Sequence, residues 1–237
     1  MPNITSILFL ALIFFAGLAL PAQIPALAQV PAADNYGQAM RWYQKAAEAG
    51  NAEAQFLLAR LLETGERGAP DLAGAAKWYR AAAAQAHAKA GFRLGEFYYR
   101  GIGVARDPVA AASWYEKAAG AGSLRAQFNL ALMLERGRGV KRDAKQAAMR
   151  YLKAANGGLI QAQFNLALMY ARGAGVGLDL SRALMWLRVA ERLGGQVPAK
   201  VRDGITAKLT PAQIGEADKS AAARIEFIRA NLARAKQ

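Results

Sequence analysis

The sequence predicts an all-α protein, a right-handed α-solenoid of 36-residue helix-turn-helix repeats with C-terminal capping helices. Three observations lead there. The pairs Trp42-Tyr43, Trp78-Tyr79 and Trp114-Tyr115 stand 36 residues apart, and the step continues to Arg150-Tyr151 and Trp186-Leu187. Four more columns keep the same step: Ala54, Ala90, Ala126 and Ala162; Phe56, Phe92, Phe128 and Phe164; Gly65, Gly101, Gly137 and Gly173; Asp71, Asp107, Asp143 and Asp179. A fixed period of this size is the mark of stacked repeats. Alanine is dense and β-branched runs are rare, which favours helix over strand.

The chain divides into residues 1–28, 29–198 and 199–237. Residues 7–20, ILFLALIFFAGLAL, form an apolar run followed by Pro21, Pro25 and Ala26-Leu27-Ala28. That length suits the core of an export signal and falls short of the roughly 20 apolar residues that span a bilayer. No Lys or Arg precedes the run. The expectation is a signal peptide cut after Ala28, placing the protein in the periplasm or outside the cell. An uncleaved anchor in the inner membrane is the alternative. The chain has no cysteine, which excludes disulfides, thiolate metal sites and a lipid-modified cysteine.

Residues 29–198 hold four first helices and five second helices. In AQFNLALMLERG, residues 126–137, Phe128, Leu130, Met133 and Leu134 fall on one helical face. Gly137 then stops the helix with a left-handed cap. Asp143 opens the second helix as its N-cap, as Asp107 does before Pro108. Gly50, Gly122, Gly158 and Gly194 are expected to close the second helices in the same way. The stretch ERGRGVKRDAKQ, residues 135–146, sets two glycines among five cations and resembles a phosphate cradle. Such a loop follows a strand and ends in Gly-Lys-Ser/Thr. Here the same segment recurs as GIGVARD, GRGVKRD and GAGVGLD, so it is a turn between helices. Arg67, Ala86 and Arg150 break the columns, and the unit around residues 65–90 is expected to be the least regular.

Residues 199–237 read as a short helix near Ala199–Lys208 and a longer last one. Thr210 caps the latter, Pro211 is its first residue and Gln213 completes a capping box. Ile214, Ala221, Ile225 and Ile228 are placed to cover the open face of the final repeat. The alternative is a separate binding or membrane-surface helix.

Catalysis needs convergent titratable groups. His87, the single histidine, stands where other units have Ser123 or Leu159 and reads as a solvent-exposed turn residue. The aspartates are explained as caps, and no nucleophile has a base beside it. The expectation is a protein without catalytic activity, metal or cofactor. The Trp-Tyr column reads as packing between neighbouring units.

The motifs A-x-x-x-L-G at Ala90–Gly95, G-x-G-V at Gly101–Val104 and W-Y-x-K-A-A at Trp114–Ala119 resemble the SEL-one-like repeat, a relative of the tetratricopeptide repeat. The resemblance runs from about Asn35 to Pro198. It implies a scaffold or adaptor that binds a protein or peptide in a concave groove lined by the first helices. By analogy with tetratricopeptide grooves, the implied contacts are Phe92, Glu96, Tyr99 and Arg100, then Phe128, Leu132, Glu135 and Arg136, then Phe164, Leu168, Ala171 and Arg172. Asn129 and Asn165 lie beside them, placed to hold a peptide backbone. The Phe column also suits packing between helices. Arg100, Arg136 and Arg172 suit a grip on carboxylates, and equally a complement to the helix dipole. Some cysteine-rich secreted relatives are linked to penicillin binding, yet Ser-x-x-Lys and Lys-Thr-Gly are absent here. The net charge of +14, behind an export signal, points to envelope material and away from nucleic acid. The expected partner is therefore a protein in the cell envelope; the alternative is an anionic glycan, exopolysaccharide or lipid surface.

Overall fold

A helix of 13 residues is the building unit of this protein. The computed structural model describes residues 36–65 and 68–234. Nine such helices follow one another: α1 (Tyr36–Glu48), α2 (Ala52–Thr64), α3 (Leu72–Ala84), α4 (Ala88–Arg100), α5 (Pro108–Gly120), α6 (Leu124–Arg136), α7 (Ala144–Asn156), α8 (Ile160–Arg172) and α9 (Leu180–Arg192). Two helices of other lengths, α10 (Ala199–Thr206) and α11 (Pro211–Arg234), complete the chain. No strand occurs among the described residues. The apolar run at residues 7–20, its cleavage site and Arg67 lie outside them. The packing below is that of residues 40–237.

Local capping chemistry sets the helix ends. The first helices α2, α4, α6 and α8 each stop on a left-handed glycine: Gly65, Gly101, Gly137 and Gly173, with φ of 60°, 75°, 65° and 66°. The second helices α3, α5, α7 and α9 begin on aspartate. Asp107 accepts hydrogen bonds from the Val109 and Ala110 amides at 2.9 and 3.0 Å. Asp71, Asp143 and Asp179 accept from the amides of Gly74, Gln146 and Arg182 at 2.8, 2.9 and 2.8 Å. The closing glycines of the second helices stand one residue later than the first-helix caps. α5, α7 and α9 end at Gly120, Asn156 and Arg192, and positive φ falls two residues on, at Gly122, Gly158 and Gly194.

The unit expected to be irregular keeps its 13-residue α3 and its Asp71 cap. Its departures are local. Asp71 has φ −100°, against −143° to −152° at the other three aspartates. Ala86 has φ 60° and is the one non-glycine among the described residues in the left-handed region.

The basic turn has its own reason for glycine. A Cβ on Gly103, Gly139 or Gly175 would lie 2.3, 2.2 or 2.1 Å from the carbonyl oxygen of Leu72, Pro108 or Ala144. Each of those carbonyls belongs to the first residue of the preceding repeat's second helix. The glycine is there so that adjacent repeats can approach backbone to backbone, and no phosphate need be invoked.

Small side chains bring the helices together, and large ones fill the layers between. Ala111, Ala118, Ala126, Ala147, Ala154 and Ala162 are buried beside Leu94, Leu130 and Leu166. Tyr79, Tyr115 and Tyr151 are buried, and Trp78 and Trp114 only half so. Both tryptophans pack back onto the core of the preceding unit, as packing between neighbours requires. A glutamine ladder adds to this. The Gln55, Gln127 and Gln163 amides donate to the Ala47, Ala119 and Ala155 carbonyls at 3.0, 3.2 and 3.1 Å, tying α2, α6 and α8 each to the end of the second helix before it. At the far end α11 lies along α9 and buries Ala217, Ala221, Ile225 and Ile228, with Ile214 partly covered. Its capping box is formed: the Thr210 amide donates to Gln213 Oε1 at 2.9 Å and the Gln213 amide to Thr210 Oγ1 at 3.3 Å.

Candidate functional site

Residues three, four and seven apart share one helical face. On α4 that places Glu96, Tyr99 and Arg100 together; on α6, Asn129, Leu132 and Arg136; on α8, Asn165, Leu168 and Arg172. The three helices succeed one another along the solenoid, and two clefts open between these faces. The first, about 160 Å³, lies between α4 and α6; the second, about 190 Å³, between α6 and α8. They are copies one repeat apart. Glu96, Tyr99, Arg100, Asn129, Leu132, Met133 and Arg136 of the first become Leu132, Glu135, Arg136, Asn165, Leu168, Met169 and Arg172 in the second. Arg136 lines both.

A buried tyrosine from the intervening second helix sits at each cleft. Tyr151 donates from its hydroxyl to Glu135 Oε2 at 2.9 Å and accepts from Asn165 Nδ2 at 3.2 Å. Tyr115 lines the first cleft and is hydrogen-bonded by Asn129. Burial pushes both phenols well above the usual tyrosine range, so they are neutral donors at any ordinary pH. The asparagines are thus held by tyrosine hydroxyls. Each amide still has a carbonyl oxygen and a second N–H with which to meet a ligand.

Above them stand the arginines. Arg100, Arg136 and Arg172 are exposed, each in the last turn of its helix, and none forms an ion pair among the described residues. The acids below them are engaged elsewhere. Glu96 pairs with Arg93, which also holds Glu63, and Glu135 is held by Tyr151. Tyr99 accepts at its hydroxyl from Arg138 at 3.0 Å.

Of the residues expected to line a groove, Glu96, Tyr99, Arg100, Asn129, Arg136, Asn165 and Arg172 line the clefts, and two expectations are corrected. Phe92 and Phe128 do not line the clefts; they pack on Tyr115 and Tyr151 at centroid distances of 6.0 and 5.7 Å. The cause is their place on the helix, facing the neighbouring second helix. His87 is not a solvent-exposed turn residue either. Its Nδ1 accepts from the Ala90 amide at 3.1 Å, its Nε2 meets Glu53 at 2.9 Å, and its ring stacks on Phe56 at 4.7 Å. It caps α4, where Ser123 caps α6. No group of three or more His, Asp or Glu residues among the described residues is arranged to hold a metal.

Sequence reasoning missed the tyrosine at each cleft. The Trp-Tyr column contained it, but periodicity does not say which of two adjacent rings turns inward. A larger cleft, about 490 Å³, opens beside α9 and α11. Its Trp186 is buried with Arg224 5.5 Å over the ring, and its Asp179 caps α9 and pairs with Arg182.

Five segments, residues 27–51, 52–87, 88–123, 124–159 and 160–195, match the model described as Sel1 repeat. A Sel1 repeat protein from Oxalobacter formigenes is similar at 36% identity and TM-score 0.67, over 76% of this chain and 76% of that one. A protective antigen present in uropathogenic Escherichia coli strains, displaying an SLR fold, is similar at 31% identity and TM-score 0.49 over 85% of this chain; the match spans 51% of the antigen, about half its length. Among curated proteins none matches.

Proposed function

Since this chain belongs to the Sel1 repeat family, whose members generally act in protein–protein interaction, we propose that it is a non-catalytic exported adaptor holding a protein partner in the cell envelope by the face of α4, α6 and α8. One observation carries the choice of face: the two clefts are copies 36 residues apart and share Arg136. A repeated pair of clefts along successive first helices is what an extended partner segment needs. The export reading rests on the apolar run at residues 7–20 and the Ala-Leu-Ala that follows it.

The rival is an anionic envelope polymer held by the net charge of +14. A variant that fills the clefts without changing the charge separates the two. In Leu132→Phe with Leu168→Phe, a larger apolar ring stands in each cleft and the net charge is unaltered. The full chain and this variant are used to capture envelope components at moderate and high salt, with helicity checked by circular dichroism. A protein retained by the wild type at both salts and lost from the folded variant supports the groove. Retention by the variant with loss at high salt points to diffuse charge.

A further inference from the structure

Resting on that reading, we propose that the partner segment is an extended acidic peptide whose carboxylates enter both clefts, with Arg136 as the residue shared between them. The clefts are small, about 160 and 190 Å³, which suits side chains and excludes a whole helix. Their rims carry Arg100, Arg136 and Arg172, exposed and without ion pairs among the described residues. The carboxylates already present are engaged from within: Glu96 pairs with Arg93, and Glu135 keeps its charge but is oriented by the Tyr151 hydroxyl. Two guanidinium groups thus rim each cleft against one resident carboxylate, Arg100 and Arg136 in the first and Arg136 and Arg172 in the second, and a guanidinium can bind an incoming carboxylate with two parallel hydrogen bonds.

The clefts also favour an extended chain. Asn129 and Asn165 are aimed by tyrosine hydroxyls and retain groups that match a peptide's amide and carbonyl. In an extended chain alternate side chains point the same way, with successive same-side groups about 7 Å apart. A peptide laid across α4, α6 and α8 therefore presents acids to both clefts from every second position. Arg136, lying between, contacts acids on either side. Arg100 and Arg172 each serve one cleft.

The test uses the full chain and two fluorescein-labelled peptides, one alternating Glu and Ala, the other Gln and Ala, followed by fluorescence anisotropy. The glutamate peptide should bind at least about tenfold more tightly, the scale of one lost charge-assisted pair. Arg136→Gln should weaken it more than Arg100→Gln or Arg172→Gln. Lys141→Gln, on the exposed turn outside both clefts, should have the smallest effect. Equal losses in all four variants would reduce the clefts to part of a general positive surface and overturn the proposal. So would equal affinity for the two peptides, or a sulfated dextran that binds more tightly than the peptide. If the Leu132→Phe, Leu168→Phe variant loses the natural partner while Arg136→Gln changes neither partner capture nor peptide affinity, the groove stands and the acidic class is wrong.

Discussion

Tyr115 is 2% exposed, whereas Trp114 beside it remains half-buried with the Lys117 ammonium 4.2 Å from its ring centroid. Successive residues on a helix point about 100° apart, so two adjacent rings cannot share one environment. Tyr115 turns inward, meets Phe92 and lines the first cleft, while Trp114 leans on the preceding unit and stays partly wet. Removing the tyrosine ring opens a cavity in a close-packed layer and should cost about 3–5 kcal/mol. Removing the tryptophan gives up contact that water already shares, and should cost about 2 kcal/mol. Urea denaturation of Tyr115→Ala and Trp114→Ala measures both. A tryptophan variant that is the less stable of the two would reverse the assignment of core and rim.

At the scale of elements, the end of α3 shows what one residue type does to a turn. After the other second helices the left-handed position is taken by Gly50, Gly122, Gly158 and Gly194; after α3 it is Ala86, at φ 60°. A left-handed non-glycine residue is strained by about 1–2 kcal/mol, because its Cβ crowds the following carbonyl. Glycine lifts that strain but gives the unfolded chain more freedom, which takes some of the gain back. Ala86→Gly should therefore raise stability by about 1 kcal/mol, seen as a higher urea midpoint with an unchanged slope. A lower midpoint would mean that the alanine methyl contributes more than the backbone strain costs. Helix ends of this kind were legible in the sequence, because capping is local: an Asp or a Gly in the right column satisfies groups within four residues of it. The inward face was less so. Glu96, Tyr99, Arg100, Asn129, Arg136, Asn165 and Arg172 do line the clefts. Phe92 and Phe128 occupy columns equally compatible with a groove or a helix interface, and only the packing partner decides between them. The Gln55, Gln127 and Gln163 column went unread, being broken by Gly91 and made of a residue usually found in water.

Across the whole molecule each repeat touches mainly its neighbours, so stability is a sum along a line and the ends are its weak points. At the C-terminal end α11 seals α9. Ile225 and Ile228 are 4% and 0% exposed, Arg224 lies over the Trp186 ring, and Asp218 pairs with Arg188 at 3.1 Å. Burying two isoleucines is worth about 3–6 kcal/mol. Deleting residues 211–237 removes that contribution from α9 and leaves Trp186 open to water. The loss should stay local: amide exchange in α8 and α9 should quicken by roughly two orders of magnitude or more, while α4 and α5 keep most of their protection. Because α8 forms one wall of the second cleft, peptide binding should fall with it, and an Arg172→Gln change should then matter less than in the intact chain. Uniform loss of protection from α2 to α9 would show that the solenoid opens as a single unit. In that case α11 would stabilise both clefts equally, and the two would respond to its deletion together.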